Sequence, residues 1–173
     1  MKLSKKICML GSPAVGKTSL VNQFVRSIFS DAYLTTIGAR IDKKQLMVGG
    51  AELNLVIWDL AGEDRFESIR GTYLRGASGY LLVVDGCRRV TLEHAICMQE
   101  HLGPKLDGLP FVCVVNKSDL EDEWEVTESD MEHLASLGWT VKRSTARDGG
   151  SVEEVFRCLG EELLPGKAVC KAG

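Results

Sequence analysis

One stretch near the start constrains this chain more than any other: Gly11-Ser12-Pro13-Ala14-Val15-Gly16-Lys17-Thr18. It fits the spacing G-x-x-x-x-G-K-[ST], directly behind an apolar run and directly ahead of Leu20, Val21, Phe24 and Val25, which repeat at helical spacing. A strand that passes through a glycine turn into a helix gathers backbone N–H groups and the helix N-terminus around one small concavity. Such a concavity holds phosphate. On this reading Ala14, Val15, Gly16, Lys17, Thr18 and Ser19 form the cradle. Lys17 reaches the β- and γ-phosphates, and the Thr18 hydroxyl binds Mg²⁺.

The rest of the chain supplies a frame for that loop. Short apolar runs at Lys5–Leu10, Ala39–Val48, Ala51–Leu60, Tyr80–Asp85, Phe111–Asn116 and Trp139–Ser144 alternate with helix-period segments. Gly49-Gly50 between the second and third runs signals a hairpin. The runs at 80–85 and 111–116 are almost wholly apolar, as strands of a parallel sheet buried on both faces are. Thr91–Leu102 stops at Gly103-Pro104. Thr127 opens a helix that ends at Gly138, and Ser151-x-x-Glu154 reads as a capping box for the last helix. With 173 residues there is room for one domain, and the pattern predicts a three-layer α/β sheet with helices on both faces. Ligands of such sheets bind at the carboxyl ends of the strands.

Three further motifs fall at strand ends. In Asn116-Lys117-Ser118-Asp119 the Asp119 carboxylate can accept from both N1–H and the exocyclic amine of guanine, a donor pair that adenine lacks. In Trp58-Asp59-Leu60-Ala61-Gly62, Asp59 is expected to hold Mg²⁺ through water. The Gly62 N–H can approach the γ-phosphate because glycine has no Cβ. In Tyr33-Leu34-Thr35-Thr36-Ile37-Gly38 a threonine can offer a hydroxyl to Mg²⁺ and an N–H to the γ-phosphate. Thr36, which directly precedes Ile37-Gly38, is preferred, with Thr35 as its rival.

In this order the motifs resemble those of the Ras superfamily of small GTPases, closest to its Rab branch, over residues 5 to about 164. The resemblance implies the small G-domain of P-loop NTPases: a six-stranded, mostly parallel sheet with one antiparallel strand, in residues 1–164, with a short tail at 165–173. It implies a switch that binds GTP or GDP with Mg²⁺ and hydrolyses GTP. Segments of about 30–40 and 60–76 would be switches I and II, which meet effectors, exchange factors and GTPase-activating proteins. Asn116, Lys117 and Asp119 would read the base. Thr145-Ala146-Arg147 resembles the fifth family motif, usually Ser-Ala-Lys, with the Ala146 N–H on the guanine O6. Phe29 matches the aromatic that packs on the guanine edge. The Rab likeness rests on Thr36-Ile37-Gly38, Trp58-Asp59, Arg65-Phe66 and Tyr73-Leu74-Arg75-Gly76-Ala77. Trp58 and Tyr73 match two of three effector-reading aromatics, and Ile41 stands where the third, usually Phe, would be.

The chain departs from the family in three places. Glu63 follows Gly62 where the family typically has glutamine, which orients the attacking water and donates to the phosphoryl group. An ionised Glu63 cannot donate, and at about 5 Å and an effective dielectric of about 20 its repulsion of the γ-phosphate is roughly 3 kcal/mol. Hydrolysis assisted by Glu63, Lys17, Thr36 and Gly62 is therefore expected to be slow. The competing expectation is a binding module that holds GTP with negligible hydrolysis. Pro13 stands where the family often has a small residue, removing an N–H and fixing φ. Cys170 is fourth from the end, but Lys171 is not aliphatic and Gly173 is a poor terminal residue for prenylation.

The remaining features exclude more than they suggest. The formal net charge of −3 argues against a broad nucleic-acid surface and against a polybasic membrane arm. No apolar run approaches the roughly 20 residues of a membrane helix. The expected setting is cytoplasmic, without a strong membrane anchor and with peripheral association only through partners, a pattern that also suits a bacterial or archaeal member of the superfamily. The six cysteines lack any Cys-x-x-Cys pair and read as core thiols. His94, His101 and His133 receive no catalytic role, and the acidic run Glu121–Glu125 reads as solvated surface. A small-metabolite kinase would need a lid and an acceptor site, and the 116–119 motif argues against it.

Overall fold

A computed structural model of the chain describes residues 2–32, 34–63, 69–106 and 108–166. Six strands form one sheet: β1 (Lys2–Leu10), β2 (Ala39–Val48), β3 (Ala51–Leu60), β4 (Gly79–Asp85), β5 (Phe111–Asn116) and β6 (Thr140–Arg143). Their order across the sheet is β2-β3-β1-β4-β5-β6. All neighbours pair in parallel except β2 with β3, whose antiparallel ladder closes at Val48↔Ala51. Gly49 and Gly50 turn that hairpin with φ of 55° and 78°, the two positive angles that a tight primed turn demands.

Helices α1 (Lys17–Arg26) and α5 (Gly149–Glu162) cover one face, and α3 (Arg89–Leu102) and α4 (Glu128–Ser136) cover the other; α2 (Gly71–Leu74) is a single turn. Alternation along the strands feeds both layers. Ile7, Met9, Leu81 and Val83 join Leu20, Phe24, Val155 and Phe156 in one core, while Cys8, Leu10, Leu82 and Val84 join Leu92, Met98 and Leu134 in the other. The expected apolar face of α5, Val152, Val155, Phe156, Leu159 and Leu163, is buried throughout. Phe156 stacks on Phe24 with ring centroids 3.9 Å apart. Each such buried ring contributes about 1.5–3 kcal/mol, and together they fix α1, which begins at Lys17, against the sheet.

Two local readings are corrected. Ser151 does not cap α5. Asp148 does, accepting from the N–H groups of Gly150 and Ser151, so the helix begins three residues earlier. The strand expected over 139–144 is trimmed to Thr140–Arg143 because β6 is a short edge strand paired only with β5. The capping box at Thr127 is present, with Asp130 as its reciprocal partner. Arg65, Phe66, Tyr33 and Cys170 lie outside the described residues.

Candidate functional site

The sheet winds leftward from β1 to β3 and rightward from β1 to β4, so β1 sits at the reversal of strand order. Ligands of α/β sheets gather at such a point, at the carboxyl ends of the strands. The loop that leaves β1 there is shaped by close backbone approaches. A Cβ on Gly11 would come 2.3 Å from the Val83 carbonyl oxygen. One on Gly16, whose φ is 101°, would come 2.3 Å from Asn116 Nδ2. Asn116 Nδ2 donates to the Val15 carbonyl at 2.9 Å, and Lys117 Nζ donates to the Ala14 carbonyl at 3.0 Å. Asn116 and Lys117 thus brace the glycine loop from behind. Lys17 Nζ donates to the carbonyls of Gly11 and Ser12, both at 2.9 Å, which holds the ammonium across the loop mouth.

A cleft of about 760 Å³ opens above this loop, the size of a nucleotide-sized pocket. Pro13, Ala14, Gly16, Lys17, Thr18 and Ser19 wall one end, and Asn116, Lys117, Asp119, Thr145, Ala146 and Arg147 wall the other. Phe29, Thr35, Thr36 and Gly62 complete it. Val15 is fully buried beneath the loop, and Asp59 is fully buried beneath Thr18. Glu63 lines a neighbouring cavity of about 320 Å³ together with Ile37, Tyr73 and Arg70, and its N–H donates to the Gly11 carbonyl at 3.2 Å.

The oxygens expected to meet a metal converge. Thr18 Oγ1 donates to Asp59 Oδ2 at 2.6 Å and lies 2.7 Å from Thr36 Oγ1. Asp59 Oδ1 is buried without a hydrogen-bond partner. Burial raises the Asp59 pKa, against the pull of the Thr18 hydroxyl and the Lys17 charge. An orphaned carboxylate oxygen beside two hydroxyls is a hard donor set that fits Mg²⁺, which takes one or two carboxylates and completes its shell with water and phosphate. Among the described residues no group of three His, Cys, Asp or Glu side chains could hold a metal, so a metal here depends on this mixed set.

At the other end of the cleft Asp119 is already oriented. Its Oδ1 accepts from Thr145 Oγ1 at 2.6 Å, and its Oδ2 pairs with Arg147 Nε at 3.0 Å. Sequence reasoning missed the residues behind these groups. Asp85, at the end of β4, accepts from Lys117 Nζ at 2.7 Å, Arg88 Nε at 2.9 Å and the Cys87 N–H at 2.9 Å. Burial alone would raise its pKa, but the donors from Lys117 and Arg88 outweigh burial and hold it below the usual carboxylate range. Arg88 Nη2 also donates to the Pro13 carbonyl at 2.8 Å, and His94 Nδ1 lies 3.1 Å from Ser12 Oγ. An acidic residue ending an apolar strand was the one visible signal for Asp85; Arg88 and His94 carried none.

The surface beyond the cleft holds Trp58 and Tyr73 with ring centroids 6.1 Å apart, and Ile41 opposite Trp58 in the β2–β3 register. Ile37 is 92% exposed beside them. No helix among the described residues is long and apolar enough to cross a membrane.

Comparison with known proteins shows the family. The family model described as "Ras: Ras family" matches residues 6–164. The chain is 34% identical to "Ras-related protein Rab-21" of Mus musculus over 163 residues, 93% of this chain and 73% of that protein. It is 35% identical to "Ras-related protein RabG2" of Dictyostelium discoideum over 160 residues, 91% of this chain and 81% of that protein. It is 32% identical to "Ras-related protein Rab-7a" of the same organism over 170 residues, 94% of this chain and 84% of that protein. A family match over nearly the whole chain, together with relatives of about one-third identity, means that the chain belongs to the Ras family as a Rab-like small GTPase that binds GTP or GDP with Mg²⁺.

Proposed function

We propose that this switch hydrolyses GTP slowly by itself and is reset by partners. The observation that carries the proposal is the position of Glu63. Among the described residues the nucleotide cleft is walled by Gly62 and not by Glu63, which lines the neighbouring cavity together with Arg70. Outside the lining of the nucleotide cleft, Glu63 leaves the attacking water without the donor a glutamine supplies. In the reaction the water oxygen bonds to the γ-phosphorus, the bond to the β–γ bridging oxygen breaks, and GDP and phosphate leave.

The remaining roles follow from placement. Lys17 neutralises the β- and γ-phosphates, and the N–H groups of Ala14 through Ser19 cradle them. Thr18, Thr36 and Asp59 would hold Mg²⁺, which supplies charge neutralisation at the phosphates. The Gly62 N–H meets the γ-phosphate. Asp119 reads the guanine N1–H and amine, Asn116 and Lys117 support the loop behind it, and Thr145, Ala146, Arg147 and Phe29 enclose the base. Residues 1–164 form the G-domain. Effectors, exchange factors and activating proteins meet switches I and II and the hairpin strands between them, where Ile37, Ile41, Trp58 and Tyr73 offer an apolar face. The chain is read as cytoplasmic, meeting membranes through those partners.

Single-turnover phosphate release from GTP-loaded protein, with and without Mg²⁺, tests the proposal beside Glu63→Gln. We expect a Mg²⁺-dependent rate that rises at least about tenfold in the variant, about 1.4 kcal/mol of barrier. No acceleration in Glu63→Gln would overturn it. A wild-type rate indistinguishable from background, with tight GTP binding retained, would favour a binding module without hydrolysis.

A further inference from the structure

Arg147 spans the mouth of the nucleotide cleft. Its Nε pairs with Asp119 Oδ2 at 3.0 Å, and its Nη2 pairs with Asp31 Oδ1 at 2.6 Å. Its guanidinium carbon lies 4.8 Å from the centre of the Phe29 ring. Asp31 and Phe29 belong to the start of switch I, whereas Asp119 and Arg147 belong to the base-reading loops. One side chain therefore joins two walls of the cleft that are far apart in the chain. A guanidinium can do this because its planar fork offers separate N–H edges to two carboxylates while its face lies on a ring. The ammonium of the usual family lysine is a point charge and cannot make all three contacts in one pose.

We propose that Arg147 is a latch that ties the start of switch I to the base-reading loop, and that opening of the Asp31–Arg147 pair is a step in nucleotide release. The inference rests on the reading that the base lies among Phe29, Asp119 and Ala146. A base enclosed there leaves only after the segment that carries Phe29 and Asp31 swings outward, and the ion pair opposes that swing. Asp31 and Arg147 are both largely solvent-exposed, so an isolated pair between them would count for little. Here Asp119 and the Phe29 ring already orient the guanidinium, so little further side-chain freedom is lost when Asp31 closes on it.

The test uses the full chain loaded with the fluorescent analogue N-methylanthraniloyl-GDP, chased with excess GDP at fixed Mg²⁺. Asp31→Asn is expected to release the analogue about three- to fivefold faster at low salt. Arg147→Lys is expected to release it faster by a similar factor, since it keeps the charge and loses the fork. In an Arg147→Gln background Asp31→Asn should add less than about 1.5-fold, because the partner it breaks from is gone. Raising salt from about 0.05 to about 0.5 M should narrow the gap between wild type and Asp31→Asn, as the screening length falls to about 4 Å. The thermal midpoint of Asp31→Asn should match wild type, which separates a latch from a general loss of stability. Release from Asp31→Asn at the wild-type rate would overturn the proposal, as would its full effect in the Arg147→Gln background. If the unaltered chain held no analogue at all, the reading of the base site would fail instead.

Discussion

Gly62 lies so close to Pro13 that a Cβ on it would come 2.4 Å from the Pro13 Cα and 2.6 Å from its nitrogen. Both atoms are backbone, and the proline ring stiffens the loop further. The neighbouring Glu63 N–H is bonded to the Gly11 carbonyl, so the segment that follows β3 is seated on the glycine loop at two consecutive residues. Gly62→Ala must push these segments apart. Misplacement by about 1 Å near the reacting atoms costs about 10²-fold in rate, and that is the expected loss in single-turnover phosphate release. Affinity for GDP should persist, because the cradle and base-reading residues are untouched. Equal phosphate release in the variant would contradict this account of the contact.

Asp85 gives a prediction with a pH signature. Its carboxylate joins Lys117, behind the base-reading loop, to Arg88, which holds the Pro13 carbonyl. Its folded-state pKa lies below the ordinary 3.8. A depressed carboxylate stabilises the fold above its unfolded pKa, and that contribution is lost as pH falls through the folded value. Asp85→Asn should therefore be less stable at neutral pH by about 2 kcal/mol. This is below the about 3–5 kcal/mol of a fully buried pair because Lys117 and Arg88 reach water. The difference should shrink as urea unfolding is repeated from pH 7 down to pH values below about 4. A gap that stays constant across this range would show that the ionised form of Asp85 is not what stabilises the fold.

The glycine loop was legible because its chemistry needs contiguous residues with glycine at fixed places, and the α/β class followed from apolar runs that alternate with helix-period segments. Even so, the reason for Gly16 is tertiary: the space a Cβ would fill belongs to Asn116, on a strand far along the chain. Asp31 and Arg88 were illegible for the same reason, since each acts through partners brought in by the fold and neither carries a local pattern, while Asp85 showed only as an acidic residue at the end of an apolar strand. Ser151 misled because Ser-x-x-Glu is a valid cap signature. Asp148 takes that role, and Ser151 Oγ instead accepts from the Thr145 N–H at 3.2 Å, fastening the fifth motif to α5. Glu63 was visible as a departure, but the cavity it lines was not.

Thr35 and Thr36, equivalent by composition, separate by geometry. Thr18 has one hydroxyl proton, and it goes to Asp59 Oδ2 at 2.6 Å. In the 2.7 Å contact between the two hydroxyls Thr36 is therefore the donor and Thr18 the acceptor. That chain carries Thr36 into the oxygen set around the unpartnered Asp59 Oδ1, while Thr35 lines the cleft without a part in it. If this set receives Mg²⁺, Thr36→Ala removes one hydroxyl from it. A lost hydrogen bond or ligand contact to a charged partner costs about 1.5–3 kcal/mol, about 10- to 10²-fold. The loss should appear as a higher Mg²⁺ requirement and a slower rate of phosphate release at saturating GTP. Thr36→Ser keeps the hydroxyl and should stay near wild type. Thr35→Ala should change the rate by less than about threefold, the scale of a surface substitution of about 0.5 kcal/mol. A Thr35→Ala variant with the larger Mg²⁺ defect would reverse the assignment, because the hydroxyl that meets the metal would then come from the residue that the hydrogen-bond chain leaves out.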